Sequence, residues 1–451
     1  MRDGICHRSA DNGIGNIWEA DMRINSIQVQ NFRGFENLTV DLDPKFTLLI
    51  GENASGKTSL LSALSVALGI WHTSRKGSSW RKIEHHEIRR IPRKHGDRPS
   101  FEPCEPVCIT ASGLIGGEQV SWRRMIKVGQ TSTTNDANEA IAKIKWLATG
   151  LEEQPLPVLA YYGAGRSWLA SNERVKRENG NGKPSQWDAY YGCLNERIRT
   201  KDLINWFYRE AAARDDNGRF RYGYEVVRYA IKHCIPDVEY VGFDHETYLE
   251  PIITFSSGPV LFSNMSDGFR SMVALIADIA IKAVTLNSHL APTERIDDIL
   301  KEMPAILERT PGVVLVDEID VHLHPSWQRQ VASDICKVFP NMQFVCSSHS
   351  PQVISELDSK QILFLKDCRT YTLERSRGLT SNQVLEELLK VPARNVDTAR
   401  EIHEIAQLIE ENKLNEANQK IDLLGELVGR NDPAVVHALS MLEFLRMEIK
   451  E

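Results

Sequence analysis

Short, unbroken apolar runs recur along the chain between stretches of helical spacing, the pattern of parallel strands buried on both faces and joined by helices. Phe46 to Ile50, Val158 to Tyr162, Val313 to Val316 and Asn341 to Cys346 are such runs. Ile24 to Gln30 and Leu38 to Leu42 alternate instead and, joined through Asn31-Phe32-Arg33-Gly34-Phe35, predict an antiparallel pair ahead of the first buried strand. Ala111 to Lys127 reads as further strands and Asn135 to Leu147 as a helix, while Asp202 to Ala213 and Tyr224 to His233 predict helices in an insertion. Ile252 to Phe255 returns to strand pattern. Met272 to Leu286 is an apolar helix interrupted by Asp278 and Lys282. Ile362 to Leu365 and Thr370 to Leu373 close the sheet. Beyond Thr380, apolar residues recur at helical spacing (Ile402, Ile405, Leu408, Ile409; Ala417, Ile421, Leu424, Val428; Val435, Leu439, Leu442), with breaks at Gly425, Gly429 and Asn431-Asp432-Pro433.

Chemistry gathers at the ends of these runs. The strand Phe46 to Ile50 opens into Gly51-Glu52-Asn53-Ala54-Ser55-Gly56-Lys57-Thr58 and then a helix, the strand, glycine turn and helix start of a phosphate-cradling P-loop. Its backbone N–H groups and helix N-terminus converge on an anion. Lys57 brings a charge to the β- and γ-phosphates, and Thr58 offers a hydroxyl to Mg²⁺. The buried run Val313 to Val316 delivers Asp317 and Glu318 at its C-terminal end, the first suited to the Mg²⁺ shell, the second to orienting water. Ser266 and Gly268 stand where a helix begins, a second anion-binding end or a plain cap. His349 follows the neighbouring strand, placed to donate to a γ-phosphate. His322 and His324, without further ligands, read as a hydrogen-bonded turn before Pro325. Gly163-Ala164-Gly165-Arg166 is a flexible tip whose cation reaches phosphate or sits free on the surface.

Composition narrows the classes. With 451 residues, 42% hydrophobic, the chain fills two or three units of ordinary size. Lys and Arg number 54 against 61 Asp and Glu, a net charge of −7, so any nucleic-acid surface is local. Arg75 to Arg98 is the candidate, with nine Lys/Arg against three Asp/Glu and Trp80 and three histidines interleaved; a solvated loop is the other reading. Eight scattered cysteines suit reduced thiols in a cytoplasmic protein, and Cys104 and Cys108 lack a second pair to make a zinc site. No apolar run reaches the ~18 residues of a membrane span. Residues 1–21 lack a signal peptide's pattern and read as a disordered extension or an upstream start. From Thr380 to Glu451 there are 14 acidic and 8 basic residues, so nearly all the excess negative charge lies in this tail.

P-loop, Ser266-Asp267-Gly268, Asp317-Glu318, Asp320 and His349, in this order, resemble the ABC-type ATPases of the SMC/RecF-like branch. The Asn31 to Phe35 entry and the run Asp317 to Pro325 look most like prokaryotic anti-phage ATPases, including PtuA of Septu and of retron systems and those of overcoming-lysogenization-defect type. The resemblance covers about 22–165 and 250–375. It implies an α/β P-loop NTPase head of ABC type, a mixed sheet flanked by helices, with a helical insertion and a helical C-terminal region. Accordingly 22–166 would be the N-terminal lobe, 167–250 the helical insertion, 251–379 the C-terminal lobe with signature, Walker B and switch histidine, and 380–451 an acidic helical tail for partner docking.

The same resemblance implies ATP and Mg²⁺ as cofactors. Lys57 and Thr58 would hold phosphate and metal, Asp317 would support the metal, Glu318 would be the catalytic base, His349 the switch histidine and Asp320 the D-loop residue. Ser266 and Gly268 would contact the γ-phosphate of ATP held by the other protomer, in a head-to-tail homodimer closed around ATP. The chain departs at Met265, at Phe269 and in having no assignable Q-loop glutamine, for which Gly163 to Arg166 is the candidate region. It lacks the sustained heptads of chromosome-organising relatives, a carboxylate cluster of Toprim type and a His/Asn pattern of HNH type, so a separate effector, an HNH-type or other nuclease, would do any cutting. A DNA-repair clamp binding DNA directly through Arg75 to Arg98, without an effector, is the alternative. A transporter subunit is disfavoured by the spacing between Lys57 and Ser266.

Overall fold

In the computed structural model, residues 22–74, 81–95, 98–149, 154–167, 186–196, 198–213, 220–292 and 302–448 are described. The 1–21 stretch therefore lies outside the described residues. The chain divides into two compact units, Met1–Gly378 and Leu379–Glu451.

The first unit begins with the hairpin β1 (Met22–Phe32) and β2 (Phe35–Asp41), and β3 (Phe46–Ile50) runs into the P-loop and the helix Lys57–Leu68. A hairpin of β4 (Arg90–His95) and β5 (Arg98–Pro103) precedes β6 (Val107–Ile115), β7 (Glu118–Ile126) and β8 (Thr134–Asp136). After the helix Asn138–Ala148 come β9 (Val158–Tyr162), β10 (Val238–Phe243), β11 (Pro251–Phe255) and β12 (Gly258–Leu261). The helix Asp267–Leu286 follows, then β13 (Gly312–Val316), β14 (Met342–Ser347), β15 (Ile362–Lys366) and β16 (Arg369–Tyr371).

Six strands form the central sheet in the order β16-β15-β3-β14-β13-β9. All neighbours are parallel except the edge pair β15 and β16. As their continuous apolar sequences require, β3, β9, β13 and β14 are buried along their whole length. Among their polar residues, Gln343 on β14 accepts from Ile24 N (2.9 Å) and donates to Ile24 O and Asp43 O (both 2.8 Å), tying β1 to the central sheet. β1 belongs to an antiparallel sheet, β2-β1-β6-β7-β8, whose β6 alternates buried and half-buried positions residue by residue.

The P-loop helix Lys57–Leu68 packs against strands of both sheets. Its C-terminal carbonyls are taken by Trp122 Nε1 on Ala67 O (3.0 Å) and by the buried Arg124 on Val66 O (2.6 Å), a cation placed at the negative end of a helix.

A three-stranded sheet, β10-β11-β12, accompanies the helices Thr200–Ala212, Tyr222–Cys234 and Asp267–Leu286. The stretch 167–250 therefore holds a strand as well as helices, and β10 pairs with β11 across position 250. A register shift between Val238 and Tyr240 breaks the period-two alternation that would have betrayed β10 in the sequence.

The second unit is built by the helices Val396–Glu410, Leu414–Val428 and Pro433–Glu448, closing on Ile405, Ile409, Ile421, Leu424, Val435 and Leu442. Among the described residues no helix is long and apolar enough to cross a membrane.

Candidate active site

The order of the central sheet decides where the chemistry meets. β14 lies between the P-loop strand β3 and the carboxylate strand β13, and β9 flanks β13 on its far side. In register, Leu49 stands beside Ser347, and Val316 beside both Cys346 and Tyr162. The C-terminal ends of four parallel strands thus deliver the P-loop, Asp317-Glu318, Ser347 to His349 and Gly163 to Ser167 to one edge, the usual ligand side of such a sheet.

At that edge the P-loop curls through positive φ at Gly51 (146°), Ala54 (64°) and Gly56 (107°). A Cβ on Gly51 would lie 2.1 Å from Leu365 O, so no larger residue fits without moving β15. Lys57 is 7% exposed, and its ammonium donates to Gly51 O and Glu52 O (both 2.9 Å). Burial lowers its pKa, against the opposing pull of Asp317 and Glu318.

Thr58 Oγ1 donates to Asp317 Oδ2 (2.7 Å), and Ser347 Oγ donates to Asp317 Oδ1 (2.5 Å). Ser347 Oγ in turn accepts from Glu318 N (2.8 Å). Glu318 is in the left-handed region at φ 52°, an uncommon state for a side chain other than Gly, Asn or Asp and one that favours functional sites. A hydroxyl and one carboxylate, side by side beneath a phosphate loop, are the donor set Mg²⁺ takes when most of its remaining ligands are phosphate and water. His349 is exposed at the same edge. Desolvation and the Lys57 ammonium hold its pKa below the usual imidazole value, against Asp320, Glu318 and Asp317, so the ring is neutral near neutral pH. Ser347 went unrecognised in the sequence. Its position after a buried strand was visible, but its role depends on β14 being the neighbour of both β3 and β13.

Ser266 and Gly268 sit on another element. Ser266 is the N-cap of the helix Asp267–Leu286, exposed, and its hydroxyl makes no capping bond. Gly268 is pressed on the turn after Glu318: a Cβ there would lie 2.0 Å from His322 O. Among the described residues no hydrogen bond joins Ser266 or Gly268 to the P-loop of the same chain. In that turn Asp320 Oδ1 is buried without a hydrogen-bond partner among the described residues, and Gln328 Nε2 braces Asp320 O (3.3 Å) and Leu323 O (3.1 Å). The departure at Phe269 has a packing cause, since its ring meets Phe255 at 5.0 Å and Trp327 edge-on at 4.0 Å. His324 caps the short helix Pro325–Gln328, its Nδ1 2.7 Å from Ser326 Oγ. Gly163 follows β9 at the Walker B edge, where Ala164–Ser167 forms a turn of 3-10 helix.

The basic stretch divides. Positions 75–80 and 96–97 lie outside the described residues. Arg81 is turned inward onto the fully buried Glu87, with Nη2–Oε1 2.5 Å and Nη1–Oε2 3.0 Å, while Arg89 pairs with Glu36 (3.0 Å) and Arg93 with Glu102 (2.7 Å).

A family model described as AAA domain matches residues 26–214, and one described as AAA domain, putative AbiEii toxin, Type IV TA system, matches residues 201–355. The Retron Ec83 probable ATPase of Escherichia coli is 25% identical over 83% of this chain and 77% of its own length. The Retron Vc95 probable ATPase of Vibrio cholerae is 24% identical over 78% and 75%. The Septu protein PtuA of Bacillus mycoides is 22% identical, covering 79% of this chain and 42% of that protein. Among solved structures, an SMC head bound to the C-winged helix domain of ScpA aligns with a TM-score of 0.45 at 13% identity, over 78% of this chain and 98% of that one. By its P-loop, its sheet order and these matches, the chain carries AAA-domain ATPase sequence on a mixed sheet flanked by helices and is similar to the probable ATPases of retron systems and to the Septu protein PtuA.

Proposed function

We propose that this chain is an ATP-binding and ATP-hydrolysing switch that closes as a homodimer around ATP and thereby controls a partner effector, a nuclease of HNH or other type, in anti-phage defence. The observation that carries the reading is a divided site. The phosphate loop, Asp317, Glu318 and Ser347 form a connected set at one edge, whereas the uncapped Ser266 hydroxyl and Gly268 stand on a helix with no bond to that loop. A second copy supplies the missing half.

Within one protomer the roles follow from position. Lys57 leaves the loop carbonyls for the β- and γ-phosphates. Thr58 and Asp317 would hold Mg²⁺, which neutralises developing charge on the transferring phosphoryl group. Glu318, its backbone fixed by Ser347, polarises the attacking water, and His349, neutral, donates to the γ-phosphate. Because Gly268 rests on the His322 carbonyl, the helix presenting Ser266 and the turn carrying Asp320 reach the other protomer together.

Effector control is supported by the second unit, where Leu423 and Leu427 (each 66% exposed) and Phe444 (62%) stand outside the bundle core among acidic residues. The insertion is the other candidate dock.

The deciding experiment is the solution mass of Glu318→Gln by light scattering. Removal of the base leaves ATP binding intact and traps whatever closed state precedes hydrolysis. Mass doubling with Mg·ATP, and not with ADP, is the expected result. A protein that binds ATP yet stays monomeric removes the roles of Ser266 and Gly268.

A further inference from the structure

The two charges that interrupt the apolar helix Asp267–Leu286 converge on one residue of the central sheet. Asp278 Oδ2 accepts from Tyr162 Oη at 2.6 Å, Lys282 pairs with the same oxygen one turn on, and the Lys282 ammonium lies 5.9 Å from the Tyr162 ring centroid. Tyr162 is 2% exposed, and burial together with the Asp278 carboxylate pushes its phenol well above the usual range, so it remains a donor. The backbone of the same residue serves the nucleotide site: Tyr162 O accepts from Asp317 N at 2.8 Å. One tyrosine therefore holds the carboxylate that would bind metal through its carbonyl and the signature helix through its phenol.

A buried phenol bonded to a part-buried carboxylate and ammonium contributes little that well-packed apolar side chains would not match, and such polar groups are best attested where they fix one register between elements. The helix has a plain alternative at these positions, because its buried residues from Met272 to Leu286 are apolar. From Asp278 to Ser266 the helix runs about 18 Å at 1.5 Å per residue. A rigid helix pinned at Tyr162 turns a small shift at the end of β9 into a larger one at Ser266.

We propose that the Tyr162–Asp278 hydrogen bond is the joint through which the Asp317 edge of the sheet and the signature helix move as one body, which makes Tyr162 and Asp278 positioning residues for ATP-driven closure. The proposal rests on the ATP-closed dimer described above. Full-length Glu318→Gln is compared with Glu318→Gln carrying Tyr162→Phe or Asp278→Asn, by light scattering across an ATP titration and by binding of a fluorescent ATP analogue to the protomer.

Tyr162→Phe is expected to leave protomer nucleotide affinity unchanged but to raise the ATP concentration needed for assembly on the order of tenfold, an ordinary coupling between sites. Asp278→Asn, which keeps an oxygen to accept from the phenol, assembles at the ATP concentration of Glu318→Gln alone. With Glu318 intact, Tyr162→Phe raises KM for ATP by a similar factor while protomer nucleotide affinity stays in place. Equal assembly with and without the phenol overturns the joint while leaving the dimer standing. Loss of protomer nucleotide binding along with assembly also overturns it, because the bond would then be part of the fold alone. If Glu318→Gln itself never assembles, the dimer reading fails and the joint falls with it.

Discussion

Ser347 is the residue on which the site turns. Its hydroxyl donates to Asp317 and accepts from the Glu318 N–H, so it fixes the first carboxylate and the left-handed backbone of the second. Ser347→Ala should cut ATP turnover by about 10–100-fold, as losses behind a metal ligand commonly do. Nucleotide affinity should hold, so the check is steady-state ATPase beside a fluorescent-nucleotide titration; unchanged turnover would show that Glu318 keeps its geometry unaided. His349 adds a pH signature. A lowered imidazole pKa means the ring stays neutral until the pH drops below the ordinary histidine value, and only then gains charge against Lys57. The acid limb of kcat should accordingly fall below that value and vanish in His349→Gln. How legible these residues were depended on distance along the chain. Gly51 to Thr58 act as neighbours, and Asp317 and Glu318 announce themselves at a strand end. Ser347 and Tyr162 act through strand pairing, which no local pattern contains.

At the scale of elements, the N-terminal lobe is held by a charge cluster that the sequence presents as a surface patch. Glu87, fully buried, accepts from Arg81, from Arg33 at 2.8 Å and from Ser62 Oγ at 2.7 Å, which joins the Asn31 to Phe35 loop to the P-loop helix. Burial alone would raise its pKa; the Arg81 guanidinium, the Ser62 hydroxyl and the Glu84 N–H overcome it and hold the carboxyl at about 2. A depressed carboxylate stabilises the fold fully above its unfolded value of 4.5 and progressively less as pH falls toward about 2. Glu87→Gln leaves two guanidinium groups without their carboxylate and should cost about 3–5 kcal/mol. It should also flatten the acid limb of a plot of melting temperature against pH, and an unaltered limb would assign acid sensitivity elsewhere. Arg81 reads as part of a basic stretch because sequence shows the charges and not that the carboxylate six positions on is buried and turns it inward. β10 was hidden for a different reason, its bulge erasing the alternation. The long helices, by contrast, were plain because their apolar spacing persists for three turns or more.

Across the molecule, the division into Met1–Gly378 and Leu379–Glu451 separates the nucleotide machinery from a small acidic bundle. If the bundle is the effector's dock, Leu427→Glu with Phe444→Glu should abolish co-purification of the effector from the native host. ATPase activity should survive, and stability should change by only about 0.5 kcal/mol per exposed site. Retained co-purification would move the dock to the insertion. The intercalation of β14 between β3 and β13 has a further result, for how the protein is made. Thr58 and Asp317 stand 259 residues apart in the chain, and Ser347 lies later still. Ribosomes adding about 5–20 residues per second need on the order of tens of seconds to pass from the P-loop to Ser347. Throughout that interval the nascent P-loop has neither its carboxylates nor the strand that aligns them. Pairing so distant in sequence is also slow to find once the chain is free. The newborn chain therefore assembles its nucleotide site in one late step, and, if that site is the switch proposed above, an immature copy has no closed state through which to signal.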